Sequence, residues 1–177
     1  IFSKNAQRCT AGTRILVQQN IYADIARRLA ARPAHIPVGD PQDEKTIIGP
    51  MISQGHLAKV RKYIDLGSKE GATLLCGGLD VPDLPSQFQK GNFVKPTVFA
   101  DVNNRMRIAQ EEVFGPVLTV IPFKTEADAI AIANSVRYGL TGYVWTNDMG
   151  RALRVADDLE AGMIWLNSEN VRHLPTP

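Results

Sequence analysis

A chain of 177 residues that is 44% hydrophobic and 21% charged can bury a substantial core, and its composition is that of an ordinary globular domain. Its formal net charge of +2, without any dense block of lysine and arginine, predicts no binding to nucleic acid or to an anionic membrane surface. No apolar run is long enough to span a bilayer, and two cysteines do not make a disulfide framework, so we expect a reducing, cytoplasmic setting.

The first half of the chain is predicted to contain three strands and two longer helices. A helix capped by Asn20 is expected to place Ile21, Ile25 and Leu29 on its apolar face. A second helix is expected to begin behind Ser53 and to end at Gly71. The predicted strands cover residues 15–19, 72–76 and 93–99, and Pro96 inside the last of these indicates an edge or bulge position.

The second half alternates predicted strands and helices. Strands are expected at residues 117–121, 141–146 and 163–167. One intervening helix begins at a capping box of Thr125 and Asp128, and the other, capped by Asn147 or Asp148, is expected to turn Leu153 inward. These connections are too long for hairpins, and parallel strands need such crossovers. The predicted fold class is therefore α/β, an open, mostly parallel sheet with helices on both faces.

Cys9 lies in a segment of small and polar residues directly before a predicted strand. The thiolate is the reactive form of cysteine, and a neighbouring cation such as Arg8 favours it. Cys9 is therefore a candidate nucleophile. Cys76 follows two leucines, and this apolar context is typical of a small buried hydrophobic residue.

Several common site types find no support in this sequence. No glycine-rich dinucleotide fingerprint and no Walker A motif occurs, so the phosphate site of any nucleotide would lie outside these residues. Three histidines (His35, His56 and His173) and two cysteines show no metal-ligand spacing, and we predict no metal site. A Ser-His-Asp hydrolase is not indicated either, because no G-x-S-x-G motif is present.

A second unusual segment covers residues 110–117, where two adjacent carboxylates lead through Phe114 into a Gly-Pro turn and a strand. Alone, this pattern favours a solvated helix end. Together with residues 5–11, it resembles the aldehyde dehydrogenase superfamily. The shared motifs, in the order of that family, are Asn5-Ala6-Gln7-Arg8-Cys9-Thr10-Ala11, Gly49-Pro50, Gly71-Ala72, Gly77-Gly78, Lys95-Pro96-Thr97-Val98, Glu111-Glu112-Val113-Phe114-Gly115-Pro116, Tyr138-Gly139-Leu140 and Gly162-Met163-Ile164-Trp165-Leu166-Asn167.

This resemblance implies oxidation of an aldehyde to a carboxylic acid with NAD or NADP as cofactor. It places the nucleophile at Cys9, whose backbone N–H would be one of the donors to the oxyanion. Glu112 would hold the hydroxyls of the nicotinamide ribose, and Phe114 would form a wall behind the ring. Lys59 and His56 match positions near the same ribose, although many members carry glutamine at the position of His56.

The resemblance also implies that residues 1–177 form part of a catalytic domain. A glutamate that serves as general base and an asparagine that completes the oxyanion hole would precede residue 1. The cofactor-binding domain and a C-terminal assembly segment would lie outside this sequence as well. We therefore expect the chain to be inactive alone, and the intact protein to be a homodimer or homotetramer that acts on a small-molecule aldehyde.

Within the family, residues 8–10, 101–107 and 170–172 resemble members that oxidise acidic semialdehydes in the breakdown of aromatic compounds. Arg172, together with Arg8, is predicted to bind the carboxylate of such a substrate, since arginine pairs well with carboxylates. The alternative is that both arginines simply face solvent. Two further functions remain open: a CoA-acylating aldehyde dehydrogenase, and a non-catalytic, redox-sensitive thiol protein with the same fold.

Overall fold

The structure is a computed structural model that describes residues 1–169 and Val171. It divides into two compact units, Ile1–Pro122 and Phe123–Pro177. The helices and strands, in chain order, are β1 (Arg14–Gln18), α1 (Tyr22–Ala31), α2 (Gln54–Lys69), β2 (Thr73–Cys76), β3 (Thr97–Ala100), α3 (Arg107–Gln110), β4 (Val117–Phe123), α4 (Glu126–Asn134), β5 (Thr141–Val144), α5 (Met149–Asp158) and β6 (Met163–Leu166). No helix within residues 1–169 combines the length and the apolar character that crossing a bilayer requires.

The first unit is built on a four-stranded sheet in the order β1-β4-β3-β2. β3 pairs in parallel with β4, whereas β2 joins β3 antiparallel. Pro96 immediately precedes β3, which lies inside the sheet, so the predicted edge or bulge position for Pro96 is wrong. The proline is tolerated because the strand begins one residue later, where the N–H of Thr97 is available and donates to the carbonyl of Pro116 at 2.8 Å.

Helices cover both faces of this sheet. Val98 in β3 belongs to a buried cluster against which Ile25 and Leu29 of α1 pack. Phe99, the next residue along the strand, faces the opposite side. Its ring carbon lies 3.1 Å from the position that a Cβ on Gly67 of α2 would occupy. The predicted α/β fold with a mostly parallel sheet is therefore confirmed.

The buried face of α1 differs by one residue from the predicted face. Ile21 is 50% exposed, and Tyr22 is buried in its place. The hydroxyl of Tyr22 accepts a hydrogen bond from the backbone N–H of Asp101 at 2.6 Å, which satisfies the one polar group of the ring. The helix begins without a side-chain cap, so the cap predicted at Asn20 is also wrong.

The second unit contains a parallel pair of strands, β5 and β6, connected through α5. The capping box predicted at the start of α4 is present, because Thr125 and Asp128 each bond the backbone of the other. At α5, Asp148 provides the cap. The predicted inward position of Leu153 is wrong, since this side chain is 54% exposed and Ala152 is buried instead.

Candidate active site

The segment before β1 carries Cys9 on the surface. Cys9 is a free, exposed cysteine between a 3₁₀ helix at Ser3–Ala6 and the first strand. Lys4, Asn5 and Ala6 all adopt positive φ angles, of 52°, 58° and 53°. Asparagine tolerates this left-handed conformation better than most residues, whereas alanine does not. The backbone that leads to the exposed thiol is therefore strained and must be held by its surroundings.

Asn5 ties this strained segment to a distant loop. Its Oδ1 accepts a hydrogen bond from the N–H of Gly49 at 2.7 Å, and its Nδ2 donates to the carbonyl of Pro50 at 3.0 Å. The loop is itself fixed by two buried side chains, Ile48 and Met51. The long proline- and glycine-rich connection that precedes α2 thus supports the segment that carries Cys9.

A second link joins the strand behind Cys9 to the segment before the carboxylate pair. The guanidinium of Arg14 donates to Oδ1 of Asn104 at 2.8 Å, and the side-chain amide of Gln110 donates to the carbonyl of Asn104 at 2.6 Å. Burial lowers the pKa of Arg14 from its very high ordinary value. Because the same asparagine binds both side chains, it couples β1 to the end of α3.

The two adjacent carboxylates have different environments. Glu111 receives hydrogen bonds from Arg107, with Nε at 2.7 Å and Nη2 at 3.0 Å, and from the hydroxyl of Tyr63. These bonds to the carboxylate raise the pKa of Arg107. Glu112, in contrast, is exposed. Glu111 therefore has a structural role, and Glu112 presents its carboxylate to solvent, where a ligand can reach it.

The structure brings His56 and Phe114 into direct contact. Phe114 is half-buried and has a φ of 60°, which is rare for a bulky residue. Its carbonyl accepts a hydrogen bond from Nε2 of His56 at 2.6 Å, and the two rings meet edge to face with centroids 6.1 Å apart. Lys59, one turn further along α2, is exposed, and its ammonium lies 6.0 Å from the centre of the Tyr63 ring.

The remaining predicted residues are placed as follows. Arg8 is half-buried beside the exposed Cys9. Arg172 lies outside the described residues. Cys76 is half-buried against the core cluster of α1, and burial raises the pKa of its thiol, which agrees with the structural role predicted for it.

Three residues of this site were not predicted from the sequence: Asn5, Tyr63 and Arg107. Tyr63 follows His56 by seven positions on α2, and this spacing places both side chains on one face of a helix. That signal was available in the sequence. The contact of Asn5 with Gly49 spans 44 positions and has no local signature.

The residues at the 111–115 turn fit a ribose and a flat aromatic ring. An exposed carboxylate at Glu112 can accept hydrogen bonds from a pair of hydroxyls. Phe114, two positions along, offers a partly exposed apolar surface. The acceptor at Glu112 and the apolar surface of Phe114 therefore suit the sugar and the ring of a nicotinamide nucleotide.

Comparison with known proteins defines the class. The chain matches the aldehyde dehydrogenase family over residues 1–177 and belongs to that family. It is 54% identical over 175 residues to the 5-carboxymethyl-2-hydroxymuconate semialdehyde dehydrogenase of Escherichia coli, a match that covers 98% of this chain and 37% of the relative. The resemblance inferred from the two sequence motifs is thus confirmed.

Solved structures give the same result for the fold. The crystal structure of HpcC from Thermus thermophilus superposes with a TM-score of 0.95 at 49% identity, covering 100% of this chain and 35% of that one. Betaine aldehyde dehydrogenase from Staphylococcus aureus, solved in complex with NAD+, superposes with a TM-score of 0.90 at 43% identity, covering 95% of this chain and 33% of that one. The chain therefore spans about a third of the length of these relatives.

Proposed function

We propose that these residues form most of the catalytic domain of an aldehyde dehydrogenase that oxidises an aldehyde to a carboxylic acid with NAD or NADP. Family membership supports the reaction class. The observation that carries the proposal is the exposed thiol of Cys9, which lies at the end of a strained segment tied down by Asn5. A nucleophile must attack a carbonyl from one direction. A fixed backbone beneath an accessible nucleophile keeps the attacking atom in that orientation.

In this proposal Cys9 performs the covalent chemistry. Its thiolate attacks the carbonyl carbon, so that a C–S bond forms and the π electrons move to the oxygen, giving a thiohemiacetal. The backbone N–H of Cys9 would donate to that oxyanion. A bound nicotinamide would supply the two-electron oxidation by accepting hydride, which leaves an acyl thioester on Cys9. Water then adds to the thioester carbon, the C–S bond breaks, and the acid leaves with the thiol regenerated.

The turn at residues 111–115 provides the cofactor contacts in this proposal. Glu112 would accept hydrogen bonds from the ribose hydroxyls, and the exposed part of Phe114 would lie against the nicotinamide ring. Lys59 and His56, on the neighbouring face of α2, would lie near the same ribose.

For the substrate we propose an acidic semialdehyde. The support is the 54% identity to an Escherichia coli enzyme named for a carboxymethyl-hydroxymuconate semialdehyde, and the half-buried arginine, Arg8, next to the nucleophile. A guanidinium can bind a carboxylate through two hydrogen bonds. It would repel the trimethylammonium group of betaine aldehyde, the substrate named for another relative at 46% identity. Arg172 is proposed as a second cation for the same carboxylate.

The reaction is tested in the complete polypeptide with Cys9→Ser, with Cys76→Ser as the matched control. We expect Cys9→Ser to lower kcat for aldehyde oxidation by about 1,000-fold or more, the scale of losing a covalent nucleophile. The control should keep most of the activity, because Cys76 packs against the core. The isolated 177 residues should show no turnover. Full activity of Cys9→Ser would remove the proposal.

The substrate is tested by comparing kcat/KM for an acidic semialdehyde, a neutral aldehyde and betaine aldehyde. Arg8→Met or Arg172→Met should raise KM for the acidic substrate by about tenfold, the cost of one charge-assisted hydrogen bond, and should leave the neutral aldehyde nearly unchanged. Equal effects on the acidic and the neutral substrate would contradict the assignment.

A further inference from the structure

Three side chains on successive turns of helix α2 contact the 111–115 turn. The contacts come from His56, Val60 and Tyr63, whose spacing places them on one face of the helix. We call these three residues the α2 face. They contact Phe114, Gly115 and Glu111, respectively, in the turn that also carries Glu112.

The first contact restrains the backbone at Phe114. The carbonyl can only accept, so Nε2 of His56 carries the hydrogen in the bond of 2.6 Å. The backbone of His56 is held in turn, because its N–H donates to the N-capping hydroxyl of Ser53 at 3.1 Å. The hydrogen bond from His56 fixes Phe114, the one residue of the turn that has a left-handed φ. The backbone most needs external support at this residue.

The second contact is the close packing of Gly115 against Val60, which leaves no room for the turn to shift towards α2. Val60 is completely buried, and a Cβ placed on Gly115 would lie 2.6 Å from its Cγ2. Real Cβ atoms essentially never come this close to another carbon, so glycine alone permits this approach of the turn to α2. The turn thus packs directly against the side chain of Val60 on α2.

The third contact holds the start of the turn. The hydroxyl of Tyr63 donates to Glu111, and Arg107 binds the same carboxylate from α3. With Glu111 held on both sides, the direction of the next residue, Glu112, is set by the backbone between two fixed points. Glu112 itself is exposed.

We propose that the α2 face is the positioning element of the cofactor site, and that His56 and Tyr63 act through the turn. His56 orients the Phe114 ring and Tyr63 orients the Glu112 carboxylate, so that both are in place before the cofactor arrives. This inference rests on the proposed function, which assigns the nicotinamide ribose to Glu112. A site that is ordered in advance binds more tightly, because the ordering cost is not paid at binding.

The test uses the complete polypeptide and measures KM for NAD, KM for the aldehyde, melting temperature and the hydrolysis of p-nitrophenyl acetate. The ester acylates the Cys9 thiol and releases nitrophenolate without any redox cofactor, so it reports on the nucleophile alone. Tyr63→Phe should raise KM for NAD about fivefold, the effect of one net hydrogen bond, and this variant carries the test because the proposed function places His56, but not Tyr63, near the ribose. His56→Leu should raise KM for NAD at least as much. KM for the aldehyde and ester hydrolysis should stay within about twofold in the same variants.

Matched variants separate positioning from general damage. His56→Gln keeps a side-chain N–H donor for the Phe114 carbonyl and should restore a KM for NAD near that of the parent. Lys62→Ala changes an exposed residue beside Tyr63 on the same helix and should have no effect. If His56→Leu unfolds the protein, Tyr63→Phe still tests the idea, because it removes a single oxygen atom.

The outcomes distinguish this inference from the proposed function. If Glu112→Gln raises KM for NAD but Tyr63→Phe and His56→Leu do not, the positioning role is wrong and the cofactor site stands. If Glu112→Gln also leaves KM for NAD unchanged, the proposed cofactor site is wrong. A parallel loss of ester hydrolysis in Tyr63→Phe and His56→Leu would equally overturn the inference, since it would show that the α2 face supports the whole fold rather than the cofactor turn.

Discussion

The side-chain oxygen of Asn5 accepts a hydrogen bond from the backbone N–H of Gly49 at 2.7 Å, and this bond connects two segments that lie 44 positions apart in the chain. Asn5 precedes Cys9 by four residues. The orientation of the exposed thiol therefore depends on a loop that is distant from it in the sequence. Two features of Asn5 are needed at once: a carboxamide that both accepts and donates, and tolerance of a φ of 58°.

Asn5→Gly and Asn5→Ala separate these two features. Both variants lose the bonds to Gly49 and Pro50, so each should lower the free energy of unfolding by about 2 kcal/mol. Asn5→Ala should lose up to about 1 kcal/mol more, because the strain of alanine in the left-handed region, about 1–2 kcal/mol, exceeds the entropy cost of glycine, about 1 kcal/mol. Urea unfolding measures both values. Equal stability of the two variants would show that backbone strain at this position is unimportant.

Ala6→Gly is expected to stabilise the protein. Ala6 is 1% exposed with a φ of 53°, so its backbone is strained and its methyl group is confined. Glycine removes a strain of about 1–2 kcal/mol at a cost of about 1 kcal/mol in the entropy of the unfolded chain. The net gain should be up to about 1 kcal/mol, seen as a higher urea midpoint with an unchanged slope. A lower midpoint would contradict the assigned strain.

Gly115→Ala should destabilise the protein by about 1–3 kcal/mol, because the new methyl group would overlap Val60. Gly55→Ala is the matched control in α2. Nothing lies within 4 Å of its Cβ position, so it should stabilise the helix by up to about 1 kcal/mol. In the double variant with Val60→Ala, the cost of Gly115→Ala should fall. Strict additivity of the two changes would argue against the close contact.

The stability of the second unit should depend on pH through Glu126. Hydrogen bonds from Arg154 above all, and from Arg151, hold the pKa of this half-buried carboxyl below its ordinary value. Because the folded pKa is the lower one, the stabilisation is fully present above the pKa of the unfolded chain, about 4.3, and is lost as the pH falls through the folded value.

This dependence is measured as the difference in melting temperature between the parent and Glu126→Gln. The difference should be present at neutral pH, should vanish in strong acid and should shrink in high salt. Asp157→Asn, which removes an exposed carboxylate from α5, serves as the control and should show a smaller difference. A Glu126→Gln effect that does not change with pH would exclude the ion pairs as its cause.

Thiol labelling should distinguish the two cysteines and the two interpretations of Cys9. Cys9 is exposed, whereas Cys76 is half-buried and has a pKa raised by burial, so iodoacetamide should modify Cys9 at least about tenfold faster. Peptide mass spectrometry gives both rates. If Cys9 at mildly acidic pH reacts no faster than an ordinary exposed thiol, the non-catalytic thiol protein becomes the better interpretation.

Local features of the fold were predictable because they depend on hydrogen bonds between residues close in sequence. The Ser53 cap, the Thr125 and Asp128 capping box and the Asp148 cap each join residues three positions apart. The C-terminal stop at Gly71 follows from its φ of 95°, which suits glycine. The family was also predictable, since the motifs around Cys9 and Phe114 are continuous stretches of sequence.

Which face of each helix is buried was harder to predict from the sequence. Ile21 and Leu153 are more hydrophobic than their neighbours Tyr22 and Ala152, yet the neighbours are buried. A hydrogen-bond partner for the tyrosine hydroxyl, supplied by Asp101 at the end of another strand, decides the first case. Such a partner is visible only when the strands are assembled.

The sequence by itself thus determined the chemistry, namely a thiol in a polar segment, a carboxylate pair before a Gly-Pro turn, and the order in which they occur. The resemblance to the family singled out Glu112, but only the tertiary structure showed what holds its neighbour: Glu111 is bound by Arg107 and Tyr63, while Glu112 is exposed. Residue type limits what a side chain can do. The role of a side chain is set by the groups that lie within hydrogen-bond distance of it, and those groups come from segments far apart in the chain.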